Sequence, residues 1–256
     1  MSAEFDKFVD IVKEVRLKCP WDREQTHASL RHSFLEEAYE VIESIEQNDM
    51  KEFSIELGDI LLHVVLQAII AEEENEFTLA DVIARVSEKL VRRHPHVFAD
   101  AKIGTSEEQK AQWEKVKLKE GRESIIDGVP QHLPALQRAQ RLQEKAAQVG
   151  FDWKAKDDVW KKVEEEMREF HEAAEHNDPR RMEEEFGDLL FSLVNYSRFV
   201  HVHPEDALRG TTNKFVRRFR FIEHELKKAG KDIHSSSLEE MDALWNEAKA
   251  IERQPE

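Results

Sequence analysis

Residues 164–174, EEEMREFHEAA, and residues 185–194, EFGDLLFSLV, restate in the second half of the chain what residues 35–45, LEEAYEVIESI, and 56–65, ELGDILLHVV, state in the first. A shift of 129 superposes Glu36, Glu37, Glu40, Glu56, Gly58 and Asp59 on Glu165, Glu166, Glu169, Glu185, Gly187 and Asp188. Fifteen residues separate Glu40 from Glu56, and fifteen separate Glu169 from Glu185. Self-similarity at a fixed offset marks a repeated structural unit. The apolar period inside each copy is helical: Val163, Met167, Phe170 and Ala174 follow i, i+4, i+7, i+11 and are expected to form one buried stripe. Ile60, Leu61, Val64, Val65, Leu66 and Ala68 make a helix apolar on most sides, as in a helix central to a bundle or buried against a second subunit. Asn177-Asp178-Pro179 ends one helix and starts the next, since Pro is tolerated in a first turn.

Outward from this core the correspondence continues with small changes of offset. KLVRR at residues 89–93 meets KFVRR at 214–218, and Trp113 and Lys117 match Trp245 and Lys249. Trp21 in CPWD stands loosely opposite Trp153 in FDW. Residues 121–134, GRESIIDGVPQHLP, hold two of the eight glycines and two of the seven prolines and are expected to be the linker. The expected organisation is therefore a first helical domain at residues 1–120, the linker, and a second at 135–256. Each is an all-α bundle of four or five helices of the four-helix-bundle type. So few turn residues in 256 argue against a β-sandwich or barrel.

The balance of 54 Asp and Glu against 38 Lys and Arg gives a formal charge of -16, which disfavours binding to a nucleic-acid polymer. A small phosphate ligand that arrives with a divalent cation is not excluded by it. The single Cys19 excludes an internal disulfide framework and a zinc site that needs several thiolates. The first ten residues, MSAEFDKFVD, do not read as a signal peptide, and the most apolar stretch, 60–71, is short of a membrane span. A soluble, cytoplasmic location is expected, with no membrane partner.

On a helix, positions i, i+1 and i+4 fall on one side, so Glu165, Glu166 and Glu169 share a face, and Glu185 and Asp188 share one on the next helix. If the two helices pack antiparallel, four carboxylates converge at one level of the bundle. Clustered carboxylates repel unless a cation neutralises them, and all-oxygen ligation suits Mg²⁺ or Mn²⁺. Read singly, such runs are solvated faces. Their repetition beside the most apolar helices, where unpaired acids are costly, favours metal binding instead. The candidate metal residues are thus Glu166, Glu169, Glu185 and Asp188, with Glu37, Glu40, Glu56 and Asp59 as the first-half set. Lys214, Arg217 and Arg218 span one helical turn, as do Lys89, Arg92 and Arg93, and offer the positive charge that a triphosphate needs opposite the metal. Trp113 and Trp245 are candidates to cover a nucleobase. His94, His96, His201 and His203 do not align across the repeat and read as structural; Glu24-x-x-His27 has no second copy, which disfavours a di-iron bundle. No Walker-type glycine loop occurs.

With CPWDREQTH at residues 19–27, the two EExxE…ExxD sets and RRHPHVF at 92–98, the chain resembles the full-length, tandem-domain MazG proteins of the all-α nucleoside triphosphate pyrophosphohydrolase group. The resemblance implies a Mg²⁺-dependent homodimer that hydrolyses nucleoside triphosphates to monophosphate and pyrophosphate, with a broad house-cleaning range. It implies that Glu166, Glu169, Glu185 and Asp188 hold the metal and form the catalytic set. Lys214 and Arg218 would meet phosphates, and Trp245 would lie near the nucleotide. Arg181 stands where the family carries a lysine, and Glu165, Arg217, Lys89 and Arg93 complete the candidate nucleotide contacts. Glu52, Ser54 and Ile55 stand opposite Arg181, Glu183 and Glu184, so catalysis is expected mainly in the second half, with metal binding in both. Glu169 or Glu166 is the expected orienter or base for the attacking water. The rival reading is a non-catalytic helical regulator that senses nucleotide or metal and docks another protein.

Overall fold

The structure, a computed structural model, describes residues 2–99 and 124–253. Every regular element among them is helical. In the first unit these are α1 (Ser2–Lys18), α2 (Pro20–Glu24), α3 (Arg31–Glu46), α4 (Met50–Glu73), α5 (Leu79–Arg93) and α6 (Pro95–Phe98). In the second they are α7 (Ala135–Ala147), α8 (Lys156–Glu175), α9 (Pro179–Phe199), α10 (Pro204–Lys228), a 3₁₀ turn (Ile233–Ser235) and α11 (Leu238–Ile251). The chain divides into the units Met1–Val116 and Lys117–Glu256. The expected linker begins at 121, and its first three residues, like Trp113 and Lys117, lie outside the described residues.

Each unit is built on one helical hairpin, α3–α4 in the first and α8–α9 in the second. The two hairpins turn by the same local code. Helix α3 ends with Asn48 at φ 55° and α8 with Asn177 at φ 51°, the left-handed conformation that Asn tolerates at a helix end. Asp49 N then donates to Ser44 O (3.0 Å), and Asp178 N to Ala173 O (3.3 Å), closing a Schellman-type end. The same aspartates start the next helix. Asp49 Oδ1 accepts from Lys51 N (3.1 Å) and Glu52 N (3.0 Å), and Asp178 Oδ1 accepts from Arg181 N (3.2 Å). This turn sets the register that faces the acids of one helix toward those of the other.

The first unit buries Val12, Leu30, Val65, Leu66, Ile69 and Ile70 in one core, with Phe5, Phe8, Val9 and Leu79 packed against it. Helix α4 is long and apolar enough to cross a membrane, but its inner half serves that core: Val65, Leu66 and Ala68–Ala71 are buried. Its other face, carrying Leu57, Leu61 and Val64, is exposed. Buried Arg16 ties α1 to α2 and α4, bonding Glu73 Oε2 (2.8 Å), Gln25 O (3.0 Å) and Asp22 O. That gives the CPWDREQTH segment a structural task.

In the second unit α7 packs on α9 and α10, and α10 carries α11. The buried stripe of α8 differs from the expected one. It consists of Val159, Val163, Glu166 and Ala173, while Met167 is exposed and Phe170 and Ala174 are half-buried. The stripe sits one position back from the purely apolar reading because α9 packs on the side of α8 that carries Glu166. A carboxylate occupies a core position.

Since the Asp178 carboxylate satisfies an otherwise unpaired N–H of the first turn of α9, Asp178→Ala is expected to cost about 1 kcal/mol of unfolding free energy. Asp178→Asn, which retains the acceptor, should cost clearly less. Urea denaturation followed by circular dichroism measures both.

Candidate metal centre

The hairpin turn and the i, i+3 spacing bring Glu166, Glu185 and Asp188 together, each offering an oxygen within 4.8 Å of the others. Glu37, Glu56 and Asp59 do the same in the first unit. Glu166 is 6% exposed and Glu56 8%, so each trio has one carboxylate inside the protein and others reaching toward solvent. The fourth acids, Glu40 and Glu169, stand close enough to be felt. The Glu169 carboxyl is held above its usual range by burial first, and then by the charges of Glu166 and Glu185. Glu37 hydrogen-bonds Glu40. Three of the four acids expected in each half are thus brought together, with Glu40 and Glu169 beside them. The donor chemistry, all carboxylate oxygen with no sulfur or imidazole, fits a hard divalent cation such as Mg²⁺ or Mn²⁺.

The two centres differ in what offsets the negative charge. In the second unit Lys162 Nζ donates to Glu165 Oε1 (2.8 Å) and pairs with Glu166 Oε1 (2.6 Å). Those bonds push the Lys162 ammonium above its usual pKa and hold Glu165 below the carboxylate range. Arg181 Nε donates to Glu185 Oε1 (3.2 Å), and its Nη2 lies 4.0 Å from Glu172. In the first unit the repeat puts Ser33 and Glu52 at the positions of Lys162 and Arg181. Without those bases, the Glu37 carboxyl is pushed up to about 7, by burial first, then by the Glu40 hydrogen bond and the charges of Glu40, Asp59 and Glu56. Glu56 is raised too, chiefly by burial and then by Glu40 and Glu52. Lys162 was not singled out in the sequence. Its signal was there, a lysine one helical turn before Glu166.

A cavity of about 770 Å³ opens beside the second centre. Lys162, Glu166 and Asp188 form its charged end, and Phe151, Trp153, Val159 and Phe191 much of its apolar wall. Its loop side is set by α7, which ends one turn before Gly150; φ +86° there favours glycine and swings Phe151 and Trp153 over the opening. Arg198 on α9 pins that loop through Asp152, with Nη2 to Oδ2 at 2.7 Å and Nη1 to Oδ1 at 3.4 Å. At the positions of Lys162, Ser192, Asn195 and Arg198 the first unit has Ser33, His63, Leu66 and Ile69. His63 is buried edge-on against Phe34, and Leu66 and Ile69 belong to the core. The equivalent positions thus carry buried side chains.

The basic candidates lie elsewhere. Lys214, Arg217 and Arg218 are on α10, where Arg218 bonds Glu252 Oε2 (2.7 Å) and lies 5.3 Å from the Trp245 ring, itself 5.4 Å from Phe215. Arg217 also reaches Glu252 (3.5 Å), whose carboxyl is held low chiefly by the Arg218 hydrogen bond. Among the described residues no hydrogen bond or ion pair links this cluster to the carboxylates. Lys89 and Arg93 occupy the last turns of α5, where the helix dipole favours cations.

The MazG nucleotide pyrophosphohydrolase domain matches this chain twice, at residues 25–98 and 155–221. The chain is 47% identical to the nucleoside triphosphate pyrophosphohydrolase/pyrophosphatase MazG of Thermotoga maritima, over 96% of this chain and 95% of that one. It is 40% identical to the nucleoside triphosphate pyrophosphohydrolase of Escherichia coli K12, over 97% and 98%. The uncharacterised protein YabN of Bacillus subtilis is 49% identical over 98% of this chain and 52% of its own length. The two domain matches span the two carboxylate hairpins, and the chain belongs to the MazG nucleotide pyrophosphohydrolase family.

Proposed function

We propose that the protein hydrolyses nucleoside triphosphates to nucleoside monophosphate and pyrophosphate, with Mg²⁺ or Mn²⁺ held by Glu166, Glu169, Glu185 and Asp188 of the second unit. The observation that carries this reading is the cavity: the carboxylate cluster of that unit opens onto an apolar space of nucleoside size, and the first unit carries core side chains at the equivalent positions. The names of the Thermotoga and Escherichia relatives agree with it. A cation at the cluster supplies Lewis-acid polarisation of phosphoryl oxygens and a water of lowered pKa.

The residues divide the remaining work. A water oxygen adds to one of the two phosphorus atoms of the α–β bridge, the bond between that phosphorus and the bridging oxygen breaks, and nucleoside monophosphate and pyrophosphate separate. The water proton goes to Glu169 or Glu166; burial and the charges of Glu166 and Glu185 raise the proton affinity of Glu169, as a proton acceptor requires. Lys162 stands at the charged end of the cavity, placed to exchange Glu165 for a phosphate oxygen. Lys214 and Arg218 are assigned to the phosphates and Trp245 to the nucleotide, which for Arg218 means exchanging Glu252 for another anion. Arg181 orients Glu185. In the first unit Glu37, Glu40, Glu56 and Asp59 hold a cation, catalysis lies mainly in the second unit, and Lys89 and Arg93 are assigned to nucleotide contacts.

We also assign a homodimer. Leu57, Leu61 and Val64 on α4 and Phe186, Leu190 and Leu193 on α9 are exposed, repeat-related stripes of the kind that a second helical copy covers. A reducing, cytoplasmic setting suits the free Cys19.

Asp188→Asn should lower pyrophosphate release about a hundredfold or more while the helical circular dichroism signal is retained. Asp59→Asn should leave release largely unchanged. Ion-exchange separation of products from each of several nucleoside triphosphates reads both, and undiminished release from Asp188→Asn overturns the second-unit assignment.

A second prediction concerns pH. With Glu37 at about 7 against 4.5 for the unconstrained group, the metal-free first unit binds a proton on folding. The stability tied to that proton is complete below pH 4.5 and is lost as pH rises through 7. Calorimetric scans of the metal-free protein should thus show a melting temperature that declines between pH 5 and 8. Glu37→Gln should flatten the decline, and millimolar Mg²⁺ should offset it most at pH 8, because the cation competes with the proton.

A further inference from the structure

We propose that Asn195 reads the nucleobase, donating from its carboxamide Nδ2 to a ring-nitrogen or carbonyl acceptor of the base, with Arg198 and Asp152 as the residues that hold it in that orientation. The inference rests on the nucleotide reading of the second-unit cavity and adds the residue that would recognise the base there.

Three observations carry it. Asn195 lines the cavity and stands on α9 seven residues after Asp188, with Ser192 between them on the same face. At 1.5 Å per residue that places it about 10 Å along the helix from the carboxylates, a span suited to a base whose phosphates lie at the metal centre. The orientation of its amide is determined. Arg198 has only donors, and its Nη1 bonds Asn195 Oδ1 (2.5 Å), so the oxygen faces the guanidinium and the NH₂ faces away from it. Arg198 is itself held by both carboxylate oxygens of Asp152, the residue between Phe151 and Trp153. Trp153 N donates to the same carboxylate at 2.9 Å. The Nδ2 hydrogens have no partner among the described residues.

The repeat supplies the contrast. At the positions of Asn195 and Arg198 the first unit has Leu66 and Ile69, both buried in its core. Carboxylates occur in both units, but the polar chain Asp152–Arg198–Asn195 goes only with the cavity. A single amide donor also accounts for tolerance of several bases, since adenine, guanine, cytosine and uracil all present acceptors at their edges. What it discriminates against is a substrate with no acceptor at that place.

The test compares ATP and UTP with ribose 5-triphosphate, which keeps the sugar and phosphates and lacks a base, in the presence of Mg²⁺. Wild-type protein is expected to favour the nucleotides. Asn195→Leu should lower kcat/KM for ATP and UTP about 10- to 100-fold, mostly through KM, and leave turnover of ribose 5-triphosphate unchanged. Asn195→Asp keeps the shape and the acceptor for Arg198 but removes the donor, so it guards against misfolding of the leucine variant and should show the same loss. Arg198→Met, which frees both the amide and the loop that Asp152 anchors, should show a loss of the same kind, largest for substrates that carry a base. Wild-type preference for the nucleotides in both Asn195 variants, with pyrophosphate release intact, overturns the assignment of Asn195 alone. Absence of pyrophosphate release from every nucleoside triphosphate by the wild-type protein overturns the nucleotide reading and this one with it.

Discussion

The structure depends on like charges held together inside a helical hairpin. Glu166 occupies a core position of α8, in line with Val159 and Val163, and Glu185 and Asp188 close on it from α9. Burial and mutual repulsion both oppose ionisation of such a group, so the arrangement needs positive charge or a proton nearby. Lys162 and Arg181 supply positive charge in the second unit. In the first, where neither base exists, a proton does part of the same work, and Glu37 rises to about 7. One backbone hairpin thus has two electrostatic solutions, and the difference follows from two substitutions across the repeat.

Much of this was legible in the residues. The offset of 129 fixed which acids correspond, and the helical period placed them on shared faces that converge if the two helices pack antiparallel, as they do. Caps and turns are local, so Asn48-Asp49 and Asn177-Asp178 could be read without knowing the rest of the fold. The buried stripe of α8 was misplaced by one position because periodicity counts apolar residues, and here a carboxylate is buried in preference to Met167. That preference comes from packing between helices, which no single helix discloses.

The cavity lay further from view. It needs α7, the 150–153 loop and α9 together, and the interaction that fixes it, Arg198 with Asp152, spans 46 residues between two positions that carry no shared motif. The repeat itself concealed it. The halves keep the carboxylates, whereas the cavity lies in what they do not keep: Lys162, Asn195 and Arg198 against Ser33, Leu66 and Ile69. The α10 cluster shows the converse. Lys214, Arg217 and Arg218 do recur as a pattern, yet the structure occupies Arg217 and Arg218 with Glu252.

The two units differ in what lies beside their carboxylates. A carboxylate centre needs only the hairpin, so it survives wherever the turn and the four acids survive. A substrate cavity needs empty volume lined by oriented polar groups, and empty volume is costly, because packing interior space with apolar side chains stabilises a fold. Leu66 and Ile69 in the first unit have done that, joining Val65 and Ile70 in its core, where the second unit has Asn195 and Arg198 beside its buried Val194. The second unit maintains its open space with charge instead. Arg198 anchors the loop wall, and Lys162 and Glu166 form a charged end that no apolar side chain can fill without stranding a buried ion. The first unit has gone toward stability and the second toward open volume, with the carboxylate hairpin as the part that either course can keep.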